Sequence, residues 1–498
     1  MVFFIASCAR VSKIPSDTLV IGIENEIKNL DLRFAADANS VHVAKLVFQS
    51  LVRTGDDLRP EYDLVENVEI KNDQIFKFKI PQDVYFHDGV KLTAQDVLYN
   101  FLQASGPKSK IKSSFEDVEE FLAPDDRTFI IRLKKPRPSF LASDVSAIRI
   151  FPKHLGESPS VSLHPIGSGP YQFVVRKSRD LHFSLWEKYK TFAQSSPAHL
   201  PTFKKIIVRS IEDPTTRFFS LIGGDIDVLI NALSPRRVRE TVNEVQLQTL
   251  RSPGTNYQYL GLNLKNPKFS DSRVRLALSL AINRNEIIQH KLKGFAVPAR
   301  SLLSPQNVFA NPHLEAHQHN LEKAKSLLKE AGVENLEVEI RSSADRDTIS
   351  MLQVIQEQWR QIGVNSRLKS TEFADFFSAV QNGQFEVFSL RWTAVSEPDL
   401  LNRVFHSRET PPGRNRVFYK NADVDRWLDA AASETNFTRR QAFYFKAQEK
   451  IASDLPYISL WYPDNVAVVQ SSIKNFKLSP TASWTGLFYA YKTDNHGR

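Results

Sequence analysis

The chain has 498 residues, 42% of them hydrophobic and 24% charged, with 65 basic against 56 acidic side chains. That length is too great for one ordinary domain and calls for two large lobes or a discontinuous arrangement. The net charge of +9 is spread thinly, its densest clusters being Lys134, Lys135, Arg137 and Arg236, Arg237, Arg239; a nucleic-acid binder concentrates its charge on one helix or patch, so these read as a solvated surface. No stretch approaches the roughly 20 apolar residues that a membrane-spanning helix needs.

There is one cysteine, Cys8, which excludes an intrachain disulfide and a multi-cysteine metal site. It follows Ile5, Ala6 and Ser7, and small residues before a cysteine look like the tail of a bacterial lipoprotein signal. A basic n-region is lacking and the apolar run is shorter than the 7–15 residues of a signal core. The expectation is a lipid anchor on Cys8, with residues 1–16 as truncated signal and linker.

Leu19 to Ile23 predicts a buried first strand. Ala44, Val47, Phe48 and Leu51 share a helical face. Phe76, Phe78 and Ile80 alternate with Lys77 and Lys79, the pattern of a half-buried strand. Asp88-Gly89 marks a tight turn, and Thr93 with Asp96 predicts a capped helix carrying Val97 and Phe101. Further on, Asp271 and Asn320 precede helical faces made of Val274, Ala277, Leu278, Ala281 and of Leu321, Ala324, Leu328, Ala331. Gly332, Gly363 and Gly383 are expected helix stops, and Thr371 an expected cap. Helices alternating with short strands, such as 338–340 and 385–390, predict α/β lobes.

Five segments in this order resemble the bacterial extracellular solute-binding proteins, family 5, which serve oligopeptide, dipeptide and nickel ABC importers. They are Val84 to Val97 with Tyr85-Phe86-His87-Asp88-Gly89; Pro165 to Phe173; Gly261 to Leu264 with Phe269 to Arg284; Ala324 to Gly332; and Tyr444 to Tyr462. The resemblance implies a periplasmic-binding-protein-like α/β fold, two lobes joined by a hinge. The expected boundaries are 17–250 for lobe 1, with an inserted subdomain at about 39–149, then 251–463 for lobe 2 and 464–498 returning to lobe 1. It also implies a capture subunit, taking peptides in the cleft between lobes and handing them to a membrane permease driven by separate ATPase subunits. A periplasmic or envelope location, a monomer, and no cofactor, nucleic acid or catalytic activity go with that role. Most motif residues read as architecture: Gly167, Gly169 and Pro170 in a turn, Asp96 and Asp271 as caps.

Solute contacts are expected from Tyr257, Tyr259 and Asn263, and from Arg391, Trp392, Val395, Ser396, Glu397 and Asp399. In peptide-binding relatives an aspartate three places after the tryptophan pairs with the peptide ammonium; here Val395 stands there. A buried ammonium without a carboxylate is costly, so either Glu397 or Asp399 substitutes or the ligand has no free amine. Arg391 is a candidate clamp for a ligand carboxylate, with a salt-bridged or surface arginine as the other reading. Trp392, Trp461 and Trp484 are read equally as core or as stacking platforms.

His313, His317 and His319 suggest a loop before a helix more than a metal site. Gly167-Ser168-Gly169 lacks the G-x-S-x-G spacing of a nucleophile turn, and Asp225 with Asp227 reads as polar surface. No phosphate-binding G-x-x-x-x-G-K-[ST] occurs. Two other functions stay open: the same transport role with a metal chelate, opine or oligosaccharide as ligand, and a surface chaperone or adhesin without transport.

Overall fold

The computed structural model describes residues 14–27, 29–30, 38–109, 111–156, 163–189, 200–333 and 335–493; Cys8 and its expected lipid lie outside them. The apolar run at 19–23 forms the strand Thr18–Ile23, buried at every position. Both its neighbours, Lys205–Ser210 and Val228–Ile230, run parallel to it, the setting in which a strand loses its polar face. It is central to a seven-stranded sheet ordered Leu247–Ser252, Asn465–Gln470, Val228–Ile230, Thr18–Ile23, Lys205–Ser210, Asp180–Leu185, Tyr171–Lys177. A second sheet of six strands has Tyr257–Leu262 at its middle, flanked antiparallel by Val387–Trp392 and Tyr457–Pro463. Each sheet has its own apolar core, so the molecule has two lobes.

The chain passes between the sheets twice, after Ser252 and after Pro463. The crossings touch. A Cβ on Gly254 would lie 2.1 Å from the carbonyl oxygen of Pro463, so glycine is required by close approach rather than by its φ. Arg251 donates to the Asp464 carboxylate and, at 2.7 Å, to the carbonyl of Gly294. Asn465 Nδ2 donates to the carbonyls of Ser479 and Pro480 at 3.2 and 2.7 Å. The last segment returns to lobe 1, where Trp484, Leu487 and Phe488 join its core.

A third body is inserted early in lobe 1: a four-stranded antiparallel sheet, Asn67–Lys71, Ile75–Lys79, Thr128–Leu133, Val118–Asp125. Phe76 and Phe78 point into its core with Phe101 and Phe129, while Lys77 is exposed, as the alternation predicts. The core residues of this body run from Leu51 to Ile150, with Tyr189 added; Val43, Ala44 and Val47 of the preceding helix Ala38–Val47, and Phe48 just after it, belong to the lobe 1 core instead.

The capping box forms: Thr93 N donates to Asp96 Oδ2 at 2.9 Å. Asp271 and Asn320 cap the helices that follow them. Gly332, Gly363 and Gly383 all have positive φ. Thr371 does not cap; it ends the strand Asn365–Thr371, and the Glu372 carboxylate takes the amide of Ala374 at 2.7 Å. Asp227 is not polar surface. It is buried at the start of the interior strand Val228–Ile230, where it accepts from Val20 N at 2.7 Å and Lys492 Nζ at 2.8 Å. Two motif segments meet at His87, whose Nδ1 accepts from Gly167 N at 3.3 Å while Nε2 faces the Gly169 carbonyl at 3.0 Å. Among the described residues no helix is long and apolar enough to cross a membrane.

Candidate functional site

The strand Val387–Trp392 carries the second candidate segment to the boundary between the lobes. Its register places Arg391 opposite Gln258. Arg391 Nε donates to Gln258 Oε1 at 3.1 Å, and Gln258 is held in turn by donating to Ser389 Oγ at 3.1 Å. The guanidinium is thus fixed along one edge, and its two terminal nitrogens have no hydrogen-bond partner among the described residues. Arg391 is exposed, yet loss of water lowers its pKa, against the opposing fields of Asp345 and Glu24. A side chain both accessible and crowded by protein lies in a cleft.

Glu24 belongs to lobe 1, directly after the strand Thr18–Ile23. Its carboxyl is raised by burial and by Asp345, and pulled the other way by Arg217 and Arg391. Arg217 lies 3.9 Å away, pinned by the carbonyls of Ala232 at 2.8 Å and Ile211 at 2.5 Å. Charges of both signs therefore face one another across the lobe boundary. Glu24, Arg217 and Asp345 were not among the sequence candidates. The signal was available for Glu24, since ligands of α/β folds gather beyond the carboxyl ends of parallel strands.

Beyond Arg391 the loop is tied to the crossing. Ala394 N donates to Asn256 Oδ1 at 2.8 Å and Val395 N to the Thr255 carbonyl at 3.3 Å. The Val395 side chain is buried in lobe 2. Ser396 is held by its carbonyl, which accepts from Asn307 Nδ2 at 2.7 Å. Trp392 is half-buried and stacks on Arg416, 5.0 Å from its ring, and Arg416 also covers Phe377 at 4.9 Å. The indole N–H of Trp392 is buried without an acceptor among the described residues.

The two nearby carboxyl candidates have different fates. Asp399 is buried and engaged on both oxygens: Tyr444 and Ser139 donate their hydroxyls to it, and Arg440 Nη2 lies 3.4 Å away. Ser139 belongs to the inserted body, so this contact bridges the lobes. Glu397 has no side-chain hydrogen bond among the described residues. Burial, then Asp399 and Asp144, push its carboxyl up to about 8 against Arg440.

The first candidate segment lies deeper. Tyr257 and Tyr259 are fully buried and stacked at 5.4 Å, and Tyr257 shares a 2.6 Å hydrogen bond with Ser459. Tyr257 borders a cavity within lobe 2, lined also by Arg284, His317 and Tyr457. Asn263 shapes a turn, donating to the Phe385 carbonyl at 2.9 Å and accepting from Lys265 N at 3.1 Å. The structure thus sets Arg391 beside Gln258 near Glu24 and Asp345, sets Glu397 apart from it beside Asp399 and Arg440, and leaves Tyr257, Tyr259 and Asn263 inside lobe 2. Trp461 and Trp484 are core residues. His317 faces Ser279 Oγ at 2.8 Å, and among the described residues no group of three His, Cys, Asp or Glu side chains is arranged for a metal.

Residues 59–410 match the family described as bacterial extracellular solute-binding proteins, family 5 Middle. The chain belongs to this family. It is 28% identical over 477 residues to the glutathione-binding protein GsiB of Pectobacterium atrosepticum, covering 93% of this chain and 91% of that one. It is 26% identical over 494 residues to the oligopeptide-binding protein AppA of Bacillus subtilis, covering 93% and 89%. Among solved structures, NikZ from Campylobacter jejuni in complex with Ni(L-His) superposes with a TM-score of 0.82 at 27% identity, covering 96% of this chain and all of that one. The first two relatives are named as binding proteins, and the third is solved with a bound chelate. The family 5 architecture of two lobes, a hinge and an inserted subdomain is the one described above.

Proposed function

We propose that the protein is the extracytoplasmic capture subunit of an ABC importer, binding a peptide between its lobes and presenting the closed form to a membrane permease with its own ATPase subunits. Arg391 carries the reading: a guanidinium fixed by Gln258, open to solvent and facing the opposite lobe is placed to clamp a ligand carboxylate in a bidentate pair. GsiB and AppA, named for glutathione and oligopeptides, support a peptide-type ligand. With Asp399 spent on the lobe contact, Glu397 is the one carboxyl of the segment without a side-chain hydrogen bond among the described residues. Trp392 and Ser396 belong to the same segment, with Val395, Tyr257 and Tyr259 in the lobe 2 core behind it and Asn263 at the far end of the paired strands.

The proposed boundaries follow the crossings: lobe 2 from about 253 to 463, lobe 1 on either side, and the inserted subdomain from about 51 to 150. Envelope localisation, a monomeric state and a lipid on Cys8 complete the proposal; the small residues before Cys8 support the last.

A second reading keeps the transport role with a small metal chelate or other non-peptide as ligand. The apolar Val395 at the amine-anchor position and the likeness to NikZ favour it. Thermal-shift screening of the purified protein against di- to pentapeptides, Ni(L-His) and sugars decides between them. Stabilisation by peptides, weakened tens-fold or more by Arg391→Ala, supports the first reading. Stabilisation by another class alone overturns it.

A further inference from the structure

The contact between lobe 2 and the inserted subdomain is polar and buried, the character of surfaces that must part. Ser139 donates to Asp399, whose other oxygen is held by Tyr444 and Arg440 of the helix Phe437–Asp454. Nearby, Arg403 of lobe 2 lies 3.0 Å from Asp144 of the subdomain; Asp144 is buried and also held at 2.6 Å by its neighbour Arg137. Arg414 of lobe 2 lies in the field of Asp144 and Arg403. Glu397 stands in this group with Asp399, Asp144 and Arg440 around it and no hydrogen-bond partner of its own among the described residues.

We propose that Asp399 with Ser139 and Asp144 with Arg403 form a latch that holds the cleft shut, and that ionisation of Glu397 beside them releases it. The inference goes beyond ligand capture and does not depend on which solute is bound. Burial is the chief cost of ionising Glu397; Asp399 and Asp144 add to it, although Arg137 and Arg403 already pair with Asp144, and Arg440, the cation opposing it, is shared with Asp399. Opening withdraws Asp144 and admits water, which relieves both costs.

The sign follows from where the proton sits. In the closed form Glu397 titrates at about 8; opened to water it returns toward the ordinary carboxylate range near 4. The closed form thus keeps a proton that the open form loses at neutral pH. Closure is strongest in acid and weakens as pH rises to about 8, with no further loss above that.

Small-angle X-ray scattering of the ligand-free protein between pH 6 and pH 9 tests this. The expected result is a shift from compact to extended particles as pH rises, the closed-to-open ratio falling by up to about tenfold per unit below pH 8. Glu397→Gln should stay compact throughout. Ser139→Ala, which removes the bridge but leaves Asp399 its partners Tyr444 and Arg440, should be extended already at pH 6. A wild type that keeps one shape at every pH overturns the proposal, as does an unchanged pH response in Glu397→Gln or a compact Ser139→Ala. Solute affinity does not enter the measurement, so its failure is distinct from failure of the importer reading.

Discussion

The Lys492 ammonium lies 2.8 Å from the Asp227 carboxylate, with 4% and 1% of the two side chains exposed. The pair ties the last strand to the first, because Lys492 also donates to the Thr18 carbonyl at 2.6 Å and Asp227 accepts from Val20 N. Removing one partner leaves a buried charge uncompensated. Lys492→Ala is expected to cost about 3–5 kcal/mol, read from urea unfolding, with Lys492→Ala/Asp227→Asn recovering part of that loss.

At Gly254 the two crossings pack backbone to backbone. Gly254→Ala forces them apart and is expected to destabilise the protein by about 1–3 kcal/mol. The same variant should alter the scattering profile of the ligand-free protein, since the strain falls on the hinge; a lowered melting temperature with an unchanged profile would place the strain elsewhere.

Val395 fills the lobe 2 core, so restoring an aspartate there does not rebuild an amine anchor. Val395→Asp buries a carboxylate without a partner and should lower stability by about 2–4 kcal/mol. Isothermal titration with trialanine is expected to show no gain in affinity.

Stability should fall in mild acid through two histidines. Burial brings His87 and His317 down to about 4. His87 must be neutral to accept from Gly167 N, and His317 Nδ1 faces the Ser279 hydroxyl at 2.8 Å with the Arg284 guanidinium beside it, bonded to the same oxygen at 2.9 Å. A histidine whose folded pKa is depressed stabilises the fold above its unfolded value near 6.5 and loses that contribution as pH falls toward 4. Urea unfolding at pH 7 and pH 5 should differ by up to about 4 kcal/mol from these two groups. His87→Leu, less stable at pH 7, should show a flatter pH dependence.

Local signals in the sequence carried much of this. The Phe76–Ile80 alternation, the Thr93–Asp96 box and the positive-φ glycines act within a few residues, and each is realised in place. The motif at Tyr85–Gly89 and the one at Pro165–Phe173 are architecture that His87 joins. What the sequence left open depends on distant partners. Nothing near Asp399 announces that it meets Ser139, 260 positions earlier, and nothing near Glu24 announces Arg391. Tyr257 and Tyr259 were expected at the solute as part of the segment entering lobe 2, but they share the one face of their strand that packs into the lobe 2 core. Thr371 lost the cap because the strand pairing Thr371 with Ser343 runs to that residue.

The closeness of Gly254 to Pro463 has a mechanical consequence. Two links that touch behave as one axle, so lobe 2 turns about a line and does not slide. Displacement then grows with distance from the axle, as at the edge of a door. The loop pinned to Thr255 and Asn256 stays almost still beside the axle, while contacts further out, such as Arg403 with Asp144, are first to part and last to meet.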